Sequence, residues 1–243
     1  TINLAGSTLF LVAVGTIYAV TGSVNMADLA VRVPLVPEGD QGLLRAGGLL
    51  LLVVFAIKGA LLPLHFWLPR TYAAASAPVA ALFAIMTKVG AYSIIRVFTL
   101  IFGEGAGEVA WLAQPWLIPA ALATMALGMI GVIAARSLRW LVCFATVASM
   151  GTLLAAIGVF NLDGIVGGLY YLLHSTLVVA ALFLIADQVA ERRGDHGDSL
   201  ATAGTYPQMG LLAALFFLAA IAMVGMPPLS GFVGKLLILD GVR

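Results

Sequence analysis

Apolar residues fall into seven long runs, 4–21, 43–69, 78–102, 111–135, 138–160, 164–190 and 207–240, separated by polar connections. About 20 apolar residues carry an α-helix across the hydrocarbon of a bilayer, so each run predicts one membrane span. The second and seventh runs are too long for straight helices, and both are interrupted. The second contains Lys58-Gly-Ala-Leu-Leu-Pro63-Leu-His65-Phe-Trp-Leu-Pro69, and the seventh contains Gly225-Met-Pro227-Pro228-Leu-Ser-Gly231. A proline inside a helix removes a donor and frees a carbonyl that lipid cannot satisfy. The expected fold is an all-α polytopic membrane protein with two broken transmembrane helices, a single transmembrane domain over residues 1–243. Ser76 before Pro78 forms the predicted N-cap of the third span. The longest connections, 22–42 and 191–206, read as polar surface loops.

Composition agrees with this pattern. Of 243 residues, 62% are hydrophobic and 9% charged, against about 25% charged in a soluble domain. A net charge of +1 leaves no basic face for nucleic acid. Cys143 is alone, so no disulfide framework exists. Gly103-Glu-Gly-Ala-Gly107 lacks the preceding strand of a nucleotide loop, and no cofactor or metal site is expected. The chain opens at Thr1 without a signal-type start, ends at Arg243, and reads as a piece of a longer protein.

Arginines orient the spans. The connections after spans two, four and six carry Arg70, Arg136, Arg139, Arg192 and Arg193, whereas the alternate side carries only Arg32 and Arg45. Basic residues concentrate on the inner side, so the chain is expected to start inside and finish outside a cell inner (plasma) membrane.

Against this apolar background the ionisable residues stand out. Lys58 lies deep in the second span, where a cation costs roughly 3 kcal/mol on insertion scales. It serves either an ion or proton pathway or a structural role, pairing with a carboxylate or capping freed carbonyls. His65 follows the break and is either a proton-access group or a passive interfacial residue beside Trp67. Lys88 is too deep in the third span to snorkel, which points to a relay; Arg96 on the same helix reads as an interfacial anchor. His174 is mid-span, either a proton shuttle or a histidine satisfied by interhelical hydrogen bonds. Asp187 reads as a solvated carboxylate near the inner end. Lys235 follows the second break, and its depth is open between relay and interface.

Paired interruptions in two hydrophobic segments point to a transport site in repeat-built transporters. The two breaks lie five spans apart on segments of opposite direction, the arrangement that inverted five-helix repeats would give.

These motifs resemble one family, the antiporter-like subunits shared by respiratory complex I and the Mrp-type multisubunit cation/proton antiporters. The resemblance rests on Lys58–Pro69, Ala77–Leu82, Leu138–Gly151, His174–Leu184 and Gly225–Lys235; Met86–Arg96 and Gly225–Lys235 look most like the Mrp D subunit. It implies fourteen helices, of which this chain corresponds to the sixth through twelfth, with two inverted repeats. It further implies a midplane proton relay through Lys58, Lys88, His174 and Lys235, with His65 at the access side. Many relatives carry a lysine where Val179 stands, and the glutamate that pairs with the first lysine would lie before Thr1. The implied function is a proton-translocating subunit of a Na⁺ (or K⁺)/H⁺ antiporter, with other membrane subunits as partners. Two alternatives remain open: a proton-pumping subunit of complex I or a membrane-bound hydrogenase, and a non-conducting scaffold.

Overall fold

The computed structural model describes residues 2–202 and 204–243. Ten α-helices occur among the described residues: α1 (Ile2–Thr21), α2 (Met26–Arg32), α3 (Glu38–Lys58), α4 (Trp67–Ala74), α5 (Ala77–Leu100), α6 (Gln114–Ala134), α7 (Leu138–Gly158), α8 (Leu162–Arg192), α9 (Met209–Val224) and α10 (Ser230–Gly241). Six of them, α1, α3, α5, α6, α7 and α8, are long and apolar enough to cross a membrane; α9 is an apolar helix below that length. Their outer faces carry exposed leucine, isoleucine and phenylalanine, including Leu11, Ile133, Leu177 and Phe217. Water would penalise such faces and lipid does not, which is why the bundle is stable only as a membrane protein.

The helix ends follow local chemistry. Asn161 starts α8 with its side-chain oxygen accepting from the Gly164 N–H at 2.7 Å, while its amide nitrogen donates to the Gly241 carbonyl at 2.5 Å. One residue thus caps α8 and ties it to the end of α10. Ser137 caps α7 by accepting from the Trp140 N–H. Ser76 does occupy the N-cap of α5, yet its side chain makes no capping bond; Pro78 in the first turn has no N–H to satisfy.

The connection 22–42 is more ordered than its polarity suggests. Asn25 caps α2, and Leu29, Val33 and Val36 turn inward into the main apolar core. The connection after α8 is pinned as well. Ser199 forms an isolated antiparallel bridge with Ser137, and Arg193 donates to the carbonyls of Ser199 and Ala201. Arg139 of α7 donates to Asp187 of α8 at 2.6 Å, both three-quarters buried. Asp187 is therefore an ion-pair partner and not the free solvated carboxylate that its sequence position suggests.

Helix α7 lies at the centre, with Val142, Cys143, Thr146, Val147, Met150, Leu153 and Leu154 fully buried. It packs on α4, α5, α6 and α8. This central position brings its Ser149 and Met150 to the buried polar group of α5.

Candidate functional site

α-Helix stops at Lys58 and resumes at Trp67. Between them, short-range bonds satisfy part of the backbone: Gly59 N–H to Phe55 O, Leu61 N–H to Ala56 O, and Leu64 N–H to Leu61 O. Ala60, fully buried, takes a left-handed backbone with φ 53°. Two side chains complete the accounting. The Trp67 indole donates to Ile57 O at 2.9 Å, and Thr124 of α6 accepts from the Leu62 N–H at 2.8 Å. Trp67 thus acts as a cap for the end of α3, a role its aromatic-belt position in the sequence did not suggest.

Lys58 is the last residue of α3 and half-buried. Its amine donates to the side-chain oxygen of Asn3 on α1 at 2.9 Å. A cavity of about 310 Å³ opens beside the pair, lined by Trp67, Thr71, Tyr72, Phe83 and Met86. His65 sits in the short 3₁₀ turn before α4, and its buried Nδ1 has no hydrogen-bond partner.

Lys88 is only 1% exposed. Its amine donates to Ser149 Oγ at 3.2 Å and contacts Met150 Sδ at 3.3 Å, both on α7. No carboxylate pairs with it among the described residues. Two residues on, Gly90 lets α5 close on the break itself. A Cβ there would stand 2.7 Å from Gly59 N and 3.0 Å from the Lys58 carbonyl carbon. The absence of a side chain at 90 therefore brings the helix carrying Lys88 directly against the end of α3. Val179, by contrast, is fully buried in an apolar cluster with Tyr72, Ala84 and Phe183.

At the second break, α9 ends at Val224. Gly225, at φ 80°, terminates it by a paired 5→2 and 6→1 motif, Gly225 N–H to Ala222 O and Met226 N–H to Ile221 O. His174 of α8 spans the break: Nε2 lies 3.0 Å from Ala222 O, and Nδ1 lies 2.9 Å from Ser230 Oγ at the start of α10. A carbonyl only accepts, so Nε2 carries a hydrogen. Lys235 of α10 reaches back and donates to Val224 O at 2.8 Å. Both ionisable groups thus bind carbonyls of the last turn of α9. Gly231 makes the fit possible, because a Cβ there would collide with Ala222 O and stand 2.7 Å from His174 Nε2.

A second cavity, about 420 Å³, lies among α6, α7, α8 and α9. Apolar side chains line most of it, but Ser149, Thr152, Tyr171 and Lys235 supply polar groups. Ser149, which holds Lys88, and Lys235 at the second break therefore both line one space. Arg96 is exposed on α5, away from these clusters, as an anchor would be. The geometry yields two clusters at chain breaks and one buried lysine between helices. Ser149, Met150 and Ser230 lie within the motifs Leu138–Gly151 and Gly225–Lys235, which gave them no role, and Asn3 lies in no motif.

The family described as NADH:quinone oxidoreductase/Mrp antiporter, TM, matches residues 1–243. A relative from Rhizobium meliloti (strain 1021), named as the D subunit of a probable K⁺/H⁺ antiporter, is 39% identical over 259 aligned residues, covering 99% of this chain and 48% of its own. One from Bacillus subtilis (strain 168), named as the D subunit of a Na⁺/H⁺ antiporter, is 42% identical, covering 98% and 47%. The solved Mrp complex from Dietzia sp. DQ12-45-1b contains a chain superposing with TM-score 0.86 at 33% identity, covering 99% of this chain and 43% of that one. The chain spans about half the length of the curated relatives it matches. Fold, composition and family match agree: this multi-pass α-helical membrane protein belongs to the NADH:quinone oxidoreductase/Mrp antiporter family.

Proposed function

We propose that this chain is the proton-translocating part of one component of a multisubunit Na⁺ or K⁺/H⁺ antiporter. Lys58, Lys88, His174 and Lys235 pass protons along the membrane midplane, and His65 serves access from the inner side. The observation that carries this reading is Lys88, 1% exposed with only a hydroxyl and a thioether as partners. An ammonium without a counter-ion is among the most expensive groups to keep in hydrocarbon, and intramembrane ionisable residues mark ion and proton pathways. The names of the two antiporter relatives support antiport as the coupled process. Other membrane subunits of the same assembly are the partners, and the membrane is the cell inner (plasma) membrane.

The topology belongs to the same proposal. Helix α9 has 16 residues, about 24 Å at 1.5 Å per residue, short of a hydrocarbon core of about 30 Å. With α10 it makes one broken crossing, as α3 and α4 make another, giving seven crossings in a single transmembrane domain. The chain then begins inside and ends outside, and the two breaks occupy equivalent positions of inverted repeats. The cavity between Ser149 and Lys235 gives room for water, at about 30 Å³ per molecule, to join the buried lysine to the second break.

The test is Lys58→Ala in the full-length protein within its complex. Exchange in vesicles is expected to disappear while the complex still assembles, and wild-type exchange would sink the assignment. Measuring exchange without an electron donor separates antiport from a redox-driven pump.

A further inference from the structure

We infer that the Ser230 hydroxyl is the group through which His174 exchanges its proton; this rests on the relay reading above and names the door to one of its members. Both ring nitrogens of His174 are occupied. Nε2 donates to Ala222 O at 3.0 Å, and a backbone carbonyl cannot hand a proton onward. The backbone of Gly231 closes this side, since even a methyl group there would stand 2.7 Å from Nε2. Among the described residues, Nδ1 has one hydrogen-bond partner, Ser230 Oγ at 2.9 Å. With the residue 8% exposed, that hydroxyl is the hydrogen-bonded route by which a proton reaches or leaves the ring.

Among the described residues, the surrounding groups leave no competing donor at Nδ1. On α8, the Tyr171 ring lies 6.2 Å from the imidazole, centroid to centroid. Helix α9 contributes no ionisable side chain. Lys235 of α10 directs its amine to Val224 O. The amine of Lys88 on α5 is engaged by Ser149 and Met150 of α7, and Arg139 of α7 is engaged by Asp187.

The step balances without any group the site lacks, apart from water. A hydronium on the far side of Ser230 gives a proton to Oγ while the original Oγ–H proton moves to Nδ1. One O–H bond forms on serine as one breaks, an N–H bond forms on the ring, and the hydronium becomes water. Imidazolium then donates from both nitrogens, and Ser230 turns from donor to acceptor. Release runs the same bonds backwards. The Ser230 hydroxyl is not used to cap its own helix: the N-cap position is Leu229, and no side chain caps that terminus.

The experiment uses the full antiporter complex in proteoliposomes and compares Ser230→Ala with the isosteric pair Ser230→Thr and Ser230→Val. Losing a positioned proton donor is expected to slow initial exchange at least about tenfold in Ser230→Ala and Ser230→Val. Ser230→Thr is expected to keep the wild-type rate and pH profile. Wild-type rates and pH profiles in Ser230→Ala and Ser230→Val would overturn the inference, as would equal loss in Ser230→Thr and Ser230→Val, which would make the effect one of shape. His174→Ala separates the two levels. If it exchanges normally, the relay reading fails; if it is inactive while Ser230→Ala is normal, only the role of Ser230 fails.

Discussion

The two interruptions solve the same backbone problem with different chemistry. At 59–66, groups that do not titrate near neutral pH do the capping, namely the Trp67 indole on Ile57 O and the Thr124 hydroxyl on Leu62 N–H. Lys58 is left free of the backbone and binds an amide on α1. At 225–229, ionisable groups join the backbone motif in capping α9, His174 on Ala222 O and Lys235 on Val224 O. A charge change at the first break can leave the chain path unaltered, whereas one at the second acts on the bonds that hold α9 to α10. The first break thus separates scaffold from chemistry, and the second merges them.

The sharpest way to break this comparison is to remove each lysine. Lys58→Ala and Lys235→Ala are both expected to abolish exchange, but only Lys235→Ala leaves a carbonyl without its donor. It is expected to lose about 1 kcal/mol, one hydrogen bond's worth of stability, read as a lower unfolding midpoint of the purified complex, with Lys58→Ala near wild type. Equal midpoints would erase the distinction. Next comes backbone space. Gly231→Ala forces a Cβ onto Ala222 O and the imidazole, and about 1–3 kcal/mol of overpacking is expected. Ala60→Gly at the first break instead relieves a left-handed alanine, trading that against one buried methyl, so a change within about 1 kcal/mol is expected. Of similar size is Trp67→Phe, which removes one indole bond to Ile57 O while keeping an aromatic ring. A loss of about 1 kcal/mol in stability with exchange retained is expected, the sign that this cap is scaffold.

The all-α membrane class was legible because the apolar runs match bilayer thickness, and Pro63, Pro227 and Gly225 lie in two gaps between helices. The apolar environment likewise made Lys88 conspicuous. What stayed hidden depends on rotation and depth of one helix against another. Ser149 and Met150 look like ordinary positions of an apolar helix until α7 is placed beside α5. Asn3 acquires meaning only where α1 meets the end of α3. Lys235 was ambiguous because a break of unknown geometry precedes it; the Gly225 turn aims its amine back at Val224. Asp187 reads wrongly from sequence for the same reason, its Arg139 partner lying 48 positions away on α7. The connection at 22–42 looks like a loop, yet three apolar residues and one asparagine cap suffice to fold part of it against the core.

The central claim is that Lys88 is held in the interior for proton transfer and against stability. The most direct measurement is Lys88→Met in the full complex, following exchange and unfolding midpoint together. Methionine keeps much of the side-chain volume and removes a buried amine that no carboxylate pairs among the described residues. Replacing a buried amine that has no ionic partner by an apolar side chain of similar length removes its desolvation cost, so stability is expected to hold or rise. The expected result is an equal or higher midpoint with exchange abolished. Wild-type exchange in that variant, or a midpoint that falls together with activity, would contradict the account.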